Sequence, residues 1–339
     1  MDPLQLDDAA LAAYLEEVIP GFAGPLVSKK FSGGQSNPTY LLETGSGEYV
    51  LRRKPPGQLL KSAHAVEREY RVMRALSATA VPVPETFHLC EDESIIGSVF
   101  FVMQHVRGDI YWDPALPGFD NTARREIYLE MCRVLAALHD VDVEAVGLSD
   151  FGRPGDYFAR QINRWTQQYL ASQTEQIAEM DAMIEWLPAN LPDDDGRVAL
   201  VHGDYRLDNM IFEPGGNGIV ALLDWELSTL GHPLADLAYQ CMQLRMDPGM
   251  HLPGLNGVDR AELGIPSEQE YVERYCALRG LRGIDNWSFY LVFSFFRFAA
   301  ILQGVKKRAI DGNASSTVAL EYAKLIQPLA EKGLAVMRE

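Results

Sequence analysis

Polar side chains that could bind a charged ligand are concentrated in the segment LVHGDYRLDNMIF, residues 200–212. Apolar residues flank a turn that carries His202, Asp204, Arg206, Asp208 and Asn209. An aspartate can accept or orient a hydroxyl proton, and an asparagine oxygen five residues later can reach a magnesium ion that also touches phosphates. A solvated polar connection is the alternative interpretation. The spacing of Asp204 and Asn209 is also the spacing that phosphoryl transfer to a hydroxyl requires, so both interpretations stay open until the other motifs are considered.

A second acidic group follows at the end of an apolar strand. Asp224 stands in LLDWE, fifteen residues after Asn209, where its carboxylate can reach the same metal ion. Hard oxygen ligands without a Cys/His cluster favour magnesium over zinc. We expect Arg206 to offset the charge of the transferred phosphoryl group, and His202 to brace the turn through hydrogen bonds.

A glycine-rich segment nearer the N-terminus could bind phosphates. It lies between two predicted strands and comprises Ser32, Gly33, Gly34, Gln35, Ser36 and Asn37. Glycines lack Cβ, so their backbone N–H groups can approach phosphate oxygens. A plain Gly-Gly hairpin turn explains the same pattern, and it is favoured when the segment is taken alone.

A strand cation and a helix carboxylate form the next candidate pair. Arg52 lies on a predicted strand and Glu69 on the helix that follows, an arrangement that can hold nucleotide phosphates. An exposed pair of this kind would contribute little. The neighbouring residues Arg53 and Glu67 could replace either partner. Strand alternation places Arg52 on one face with Val50, which weakly favours Arg52.

The elements that must position these residues differ between the two parts of the chain. Leu11, Tyr14, Leu15 and Val18 follow helical spacing, and residues 26–53 read as three strands separated by turns. A helix and two more strands follow, whereas the chain after Gly108 is mostly helical. The pattern predicts an α+β bilobal protein, with a small antiparallel β lobe at residues 1–106 and a large, mostly helical lobe at residues 107–339.

Composition limits the class of partner and the compartment. The formal charge is −17, which argues against nucleic acid or an anionic membrane as the main partner. The four cysteines form no CxxC pair, and the acidic N-terminal segment lacks the basic region of a signal peptide, so we expect a cytoplasmic protein. The apolar segment 287–302 contains Arg297 and is short for a bilayer, which predicts a buried helix. The oligomeric state stays open.

The order of these motifs resembles the aminoglycoside phosphotransferase and choline kinase family of the protein-kinase-like fold. HGDYRLDN resembles the H-G-D-x-x-x-x-N motif of that family, and LLDWELSTLGHPLADLAY resembles its I-D-W-E-x-x-x-x-G-x-P-x-x-D-L-A block. GGQSNPTYLL and YVLRRKPPG are similar to one subgroup, the kinase-like domains fused to acyl-CoA dehydrogenases and their free-standing bacterial relatives. The resemblance covers roughly residues 11–326.

The resemblance implies a role for each matching residue, with ATP and Mg²⁺ as cofactors. Asp204 would be the catalytic base or the group that orients the hydroxyl, and Asn209 and Asp224 would hold magnesium. The implied nucleotide-binding positions are the cation Arg52 with its partner Glu69, and the main chain of Gln104 and Val106 at the adenine edge. Asp236 would brace the catalytic loop.

Two positions depart from the family pattern. Many relatives carry Lys where Arg52 stands, and aminoglycoside kinases usually carry His where Arg206 stands. Arginine keeps the charge at the first position but presents a wider fork to a phosphate. The cation at the second position argues against an antibiotic acceptor and agrees with a role in phosphoryl transfer.

We therefore expect an ATP- and magnesium-dependent phosphotransferase that acts on a hydroxyl of a small molecule, with a hydroxyacyl-CoA or hydroxy acid favoured. An aminoglycoside or choline-type kinase is the alternative, and a catalytically inactive nucleotide-binding scaffold is the alternative of another class. A protein kinase is disfavoured because D-F-G and A-P-E segments are missing. Acids and aromatics that could capture a cation are Asp156, Tyr157, Trp165, Tyr169, Trp287 and Tyr290; bases that could receive coenzyme A phosphates are Arg153, Arg160, Arg164, Arg297, Lys306, Lys307 and Arg308. The choice between ATP and GTP stays open.

Overall fold

The structure is a computed structural model that describes residues 5–31, 37–55, 65–311 and 319–339. The chain divides into two compact units. The first unit comprises Met1–Asp109, Ile211–Pro214 and Val220–Leu227; the second comprises Ile110–Met210, Gly215–Ile219 and Ser228–Glu339. Two short segments from the middle of the chain thus belong to the unit that the N-terminal residues form.

The first unit is built on a five-stranded sheet. Its strands are β1 (Val27–Lys30), β2 (Thr39–Thr44), β3 (Gly47–Arg53), β4 (Thr86–Cys90) and β5 (Phe100–Gln104), and its helices are α1 (Asp8–Val18) and α2 (Val66–Leu76). The strand order is β1-β2-β3-β5-β4, and every neighbouring pair is antiparallel. The antiparallel sheet predicted for this part of the chain is confirmed.

Alternation along β3 sends successive side chains to opposite faces of this sheet. On one face, Leu51 lies between Tyr40 and Val102 of the neighbouring strands and is buried with Leu11 and Leu15 of α1. Arg52 points to the other face. The ring of Tyr70 in α2 lies 6.1 Å from the ring of Phe101, the residue that pairs with Arg52 across the sheet. The sheet pattern therefore directs Arg52 toward the helix that carries Glu69.

The second unit is mainly helical, as the sequence predicts. Its helices are α3 (Asn121–His139), α4 (Tyr157–Ser172), α5 (Ala178–Ala189), α6 (Leu234–Leu244), α7 (Glu268–Leu278), α8 (Trp287–Ile310), α9 (Ala319–Ala323) and α10 (Ile326–Val336). Strand β6 (Ala199–Val201) pairs antiparallel with β9 (Thr229–Gly231). Strands β7 (Met210–Phe212) and β8 (Ile219–Leu222), most of whose residues belong to the first unit, form a separate two-stranded sheet.

Helix α8 is the apolar segment that the sequence predicts to be a buried helix. By length and composition it could cross a membrane, but most of its apolar stretch is buried inside the second unit. Its phenylalanines and Arg297 are among the buried residues. The prediction is confirmed, and the helix continues past the apolar stretch to Ile310.

Removing a buried side chain from the first unit tests this packing. Leu51→Ala should lower the free energy of unfolding by about 2–5 kcal/mol, because Leu51 is fully buried between two strands and α1. The matched control Val27→Ala, on the exposed side of β1, should change it by less than about 0.5 kcal/mol. Urea denaturation followed by circular dichroism measures both. Equal shifts for the two variants would show that Leu51 is not part of a packed core.

Candidate active site

The polar turn follows strand β6, which lies in the interior of the second unit. Its three residues are buried, and Gly203 follows with a φ of 84°, a left-handed value that suits glycine. Residues 203, 205, 207 and 209 are then buried, whereas 204, 206 and 208 are half-buried. A single 3₁₀ turn, Leu207–Asn209, leads into β7. The alternation anchors the turn through Tyr205 and Leu207 and presents its charged residues together.

Asp236, in the first turn of α6, holds the start of this turn. Its carboxylate accepts hydrogen bonds from the N–H groups of His202 at 2.7 Å and Gly203 at 2.8 Å, and it lies 3.3 Å from Nε2 of His139. Burial alone would raise the pKa of Asp236, but hydrogen bonds from His139 and Gly203 outweigh it and hold the pKa below its ordinary value. Two buried N–H groups are thereby satisfied by an ionised group. The contact agrees with the brace that the resemblance implied.

Asp204 is surrounded by donors. Oδ1 accepts a hydrogen bond from the hydroxyl of Tyr239 at 2.7 Å and lies 3.2 Å from Nε of Arg206, and Oδ2 accepts from Nδ2 of Asn209 at 3.1 Å. Burial would raise the pKa of Asp204, but the Arg206 cation, together with Tyr239 and Asn209, lowers it. The carboxylate is therefore ionised near neutral pH. An ionised carboxylate can only accept hydrogen bonds, which is what a hydroxyl donor requires.

Asn209 and Arg206 are tied into the same turn. Nδ2 of Asn209 also donates to the carbonyl of Asp204 at 2.9 Å, so the amide nitrogen faces Asp204. This leaves the amide oxygen, the atom that a hard cation would take, for another partner. Arg206 makes a second ion pair with Asp208 at 3.0 Å. His202 accepts a hydrogen bond from the N–H of Asp204 at 3.2 Å, in agreement with the bracing role expected of it.

In the first unit, Arg52 bridges two carboxylates. Its Nε lies 2.9 Å from Oε2 of Glu69, and its Nη2 lies 2.9 Å from Oδ1 of Asp224. Arg53 instead donates to Ser98, and Glu67 pairs with Lys54. Strand alternation favoured Arg52 over Arg53 only weakly. In the structure, the ion pair joins Arg52 to Glu69.

Glu69 is the buried partner in this group. Only 2% of its side chain is exposed, and Oε1 accepts a hydrogen bond from Nδ2 of Asn37 at 2.8 Å. Burial raises the pKa of Glu69 to about 7, against the opposing effects of Arg52 and Asn37. Asn37, predicted to line a nucleotide site, is itself buried and contacts Glu69. Asn37 therefore holds the carboxylate of Glu69 in place, and Glu69 in turn holds the guanidinium of Arg52.

Asp224 has an unusual backbone conformation. Its φ is 63°, in the left-handed region that Asp tolerates better than most residues. The indole Nε1 of the next residue, Trp225, donates to the carbonyl of Leu222 at 3.0 Å and closes the turn after β8. About a third of the Asp224 side chain, 34%, is exposed. Strained backbone of this kind is enriched at functional sites, although the conformation is shared by Leu116, Asp156 and Asn286.

The remaining predicted nucleotide-binding residues have different outcomes. Ser32, Gly33, Gly34, Gln35 and Ser36 lie outside the described residues. Gln104 ends β5, its N–H donates to the carbonyl of Glu85 at 2.8 Å, and Val106 follows in the connecting segment. The roles given to the main chain of Gln104 and Val106 stay predictions.

Many side chains considered for the acceptor are used elsewhere. The aromatic residues Trp165, Tyr169 and Tyr290 are buried in the core of the second unit. Lys306 pairs with Glu175 and Lys307 with Asp311, and both partners lie on the surface. Arg297 is buried rather than exposed to a coenzyme.

Sequence reasoning missed Tyr239, the residue that donates to Asp204. It stands three residues after Asp236 on α6, so helical spacing puts both side chains on one face of that helix. That spacing is the signal in the sequence that could have identified it. Its effect depends on a turn more than thirty residues earlier, which no local pattern reveals.

A comparison with protein families identifies the family of this chain. The family described as "Phosphotransferase enzyme family" matches residues 28–286. The chain belongs to the phosphotransferase enzyme family. The chain is 48% identical over 324 residues to acyl-CoA dehydrogenase family member 10 of Mus musculus, a match that covers 95% of the chain and 30% of the relative. It is 42% identical over 339 residues to member 11 of Rattus norvegicus, covering 98% of the chain and 44% of the relative. The chain spans less than half the length of these curated relatives.

Solved structures give the same family. A Ralstonia eutropha protein with the provisional name aminoglycoside phosphotransferase is 49% identical, with a TM-score of 0.90 over 98% of this chain and 99% of that one. The aminoglycoside phosphotransferase APH(4)-Ia, solved with AMP-PNP and hygromycin B, has a TM-score of 0.63 at 16% identity over 96% and 98% of the two chains. The latter likeness shows the fold alone. The predicted kinase-like fold and subgroup resemblance are confirmed.

The burial of His139 allows a prediction of how the free energy of unfolding of this chain depends on pH. Burial lowers the pKa of His139 below its ordinary value of 6.5, and the opposing effect of Asp236 is smaller. As the pH falls below 6.5, the unfolded chain binds a proton that the folded chain does not, so the free energy of unfolding falls by up to about 1.4 kcal/mol per pH unit. His139→Gln should make this dependence less steep between pH 7 and pH 5. Urea unfolding at several pH values measures the slope, and equal slopes for both proteins would contradict the assignment.

Proposed function

We propose that this phosphotransferase transfers the γ-phosphoryl group of ATP to a hydroxyl group of a small molecule, with Mg²⁺ as cofactor. The observation that carries this proposal is the Asp204 carboxylate, which is ionised and held by Tyr239, Asn209 and Arg206 at the end of a buried strand. Structural neighbours add support, since one was solved with AMP-PNP and another, a spectinomycin phosphotransferase, with ADP.

Asp204 would accept a hydrogen bond from the hydroxyl of the acceptor and align its oxygen with the γ-phosphorus. A bond forms from that oxygen to phosphorus, the bond from phosphorus to the bridging oxygen of ADP breaks, and the hydroxyl proton passes to Asp204. Because two hydrogen-bond donors and the Arg206 cation already stabilise the charge of this carboxylate, it is a weak base. A loose phosphoryl transition state needs alignment more than early proton removal, so a weak base suffices.

Arg52 would contact the phosphates of the nucleotide. Its planar fork is fixed at one edge by Glu69 and at the other by Asp224, so the cation keeps one orientation. Arg206 would lie at the transferred group, where its charge offsets the charge on the equatorial oxygens.

Asn209 and Asp224 would hold the magnesium ion. Among the residues that the structure describes, no group of three or more His, Cys, Asp or Glu side chains could hold a metal ion. Mg²⁺ usually takes one or two protein oxygens and completes its shell with phosphates and water. When bound, the ion neutralises charge on the phosphates. The donors supplied here are an amide oxygen and a partly exposed carboxylate, both hard ligands.

We infer that the acceptor is a hydroxyacyl-CoA or a similar small hydroxy acid. The curated relatives are named acyl-CoA dehydrogenases, which handle acyl thioesters. Three of the five aromatic residues considered for a cationic acceptor, Trp165, Tyr169 and Tyr290, are instead buried in the core. Arg206 supplies a cation where aminoglycoside kinases usually have histidine. These observations favour an anionic acceptor over a polyamine.

Magnesium-dependent ADP release against a panel of acceptors tests the proposal. The panel contains hydroxyacyl-CoA thioesters, free hydroxy acids, choline, homoserine and kanamycin. We expect turnover with the first two classes, and a kcat for Asp204→Asn that is lower by about 10³-fold, because the variant keeps an oxygen but loses the charge. Asp259→Asn is the matched control, since Asp259 caps a turn at Glu262.

Each alternative has its own result in this assay. Turnover only with kanamycin or choline would replace the acceptor class, and normal turnover by Asp204→Asn would refute the role of Asp204. Binding of magnesium and ATP without turnover of any acceptor would indicate a nucleotide-binding scaffold.

Asp224 is tested by nucleotide binding. Asp224→Ala should abolish magnesium-dependent binding of ATP, because it removes a metal ligand and one of the two carboxylates that orient Arg52. Isothermal titration calorimetry with and without Mg²⁺ measures this effect. Asp92→Ala, which removes an exposed acid of the same unit, is the control. Unchanged magnesium-dependent binding by Asp224→Ala would rule out the metal site.

A further inference from the structure

Two buried charges of opposite sign hold the residue that precedes Asp204. The N–H of Gly203 donates to Oδ1 of Asp236 at 2.8 Å. The carbonyl of Gly203 accepts from Nη2 of Arg297 at 2.9 Å. Asp236 lies on α6 and Arg297 on α8, so two helices fix the peptide groups on both sides of one glycine. The backbone that leads into Asp204 is therefore set by electrostatic contacts as well as by strand pairing.

Arg297 is a costly residue for this position. It is only 7% exposed and lies in a helix whose neighbouring residues are phenylalanines. Its guanidinium carbon lies 5.7 Å from the ring centre of Trp165 and 5.7 Å from that of Tyr239. Such cation–π contacts offset part of the desolvation of a buried cation. An apolar side chain would pack there at a smaller cost, so packing alone does not account for an arginine.

Tyr239 connects this arginine to the carboxylate of Asp204. Its ring is buried between Arg297 and Phe298, and its hydroxyl donates to Oδ1 of Asp204 at 2.7 Å. Arg297 thus contacts the main chain immediately before Asp204 and also the tyrosine that orients its side chain. The two contacts control independent degrees of freedom, the position of the backbone and the rotation of the carboxylate.

We propose that Arg297 and Tyr239 are positioning residues for the acceptor step, an inference that rests on the role proposed for Asp204. They hold the carboxylate where an acceptor hydroxyl can reach it. Losing either contact lets Asp204 move, and a displacement of about 1 Å of a reacting group can cost about 10²-fold in rate. Binding of the nucleotide does not use these contacts.

Kinetics of three variants test the proposal. Arg297→Met removes the charge and the bond to Gly203 while keeping a long side chain, and Tyr239→Phe removes only a hydroxyl. Both should lower kcat by about tenfold or more and leave the KM for ATP unchanged. Arg297→Lys should recover part of the lost kcat, because its ammonium group can donate to the carbonyl of Gly203.

Two matched controls lose equivalent bonds elsewhere in the second unit. Arg260→Met removes a bond from Nη2 to the carbonyl of Leu244, at 3.1 Å. Tyr271→Phe removes a buried bond from a tyrosine hydroxyl to Oε1 of Gln240 on α6, at 2.7 Å. Both should keep the kcat of the parent protein. A wild-type kcat for Tyr239→Phe and Arg297→Met, or an equal fall in kcat for the controls, would overturn the proposal.

Hydrogen exchange separates this inference from the proposed function. The peptide covering residues 200–209 should exchange faster in Arg297→Met than in Arg260→Met, because the Gly203 anchor is lost. If no acceptor is turned over by the parent protein, the proposed function fails, and unchanged exchange would then refute the anchor as well. If Arg297→Met does not fold, Tyr239→Phe carries the same test through its kcat and its unchanged KM for ATP.

Discussion

The buried carboxylate of Asp236 is the constraint on which the position of residues 202–204 depends. A turn that leaves a buried strand exposes N–H groups that have no partner in the sheet, and each would cost free energy if left unsatisfied. Asp236 accepts two of them, from His202 and Gly203, and contacts His139 with the same carboxylate. A neutral acceptor could bond these groups, but an ionised one binds them more tightly. The turn can therefore depart from strand geometry, as the left-handed Gly203 does, without losing its position.

The first unit also contains a buried carboxylate that holds another group in place. There a buried carboxylate, Glu69, fixes a cation rather than a backbone segment, and Asn37 in turn fixes the carboxylate. Breaking a buried pair of this kind usually costs far more than an exposed pair contributes, because the remaining charge has no partner. An arginine in this position can contact Glu69 and Asp224 through different nitrogens. A lysine has a single nitrogen and could not hold both partners in the same fixed geometry.

Much of the fold could be predicted from the sequence because its signals are local. Helical spacing identified α1 and α2, and alternation placed Arg52 with Val50 on one strand face and Arg53 on the other. Strands β7 and β9 were not predicted individually, because three residues give too few positions for a period of two. Asn37 looked like part of a phosphate loop, but its contact with Glu69 spans 32 residues of sequence.

The contacts around Asp204 also could not be predicted from local sequence patterns. Tyr239 reaches Asp204 across 35 residues and Arg297 reaches Gly203 across 94, so the set exists only in the folded chain. The sequence motif identifies Asp204, whereas tertiary contacts set the pKa and the orientation of its carboxylate. The charge of Arg206 and hydrogen bonds from Tyr239 and Asn209 lower its pKa and hold it in one orientation, although its burial would raise the pKa. A carboxylate that removes a proton early in a reaction would need fewer hydrogen-bond donors around it and a raised pKa. For the proposed function, the surroundings of Asp204 therefore favour alignment of the acceptor over strong basicity, and this preference follows from the helices α6 and α8 rather than from the motif itself.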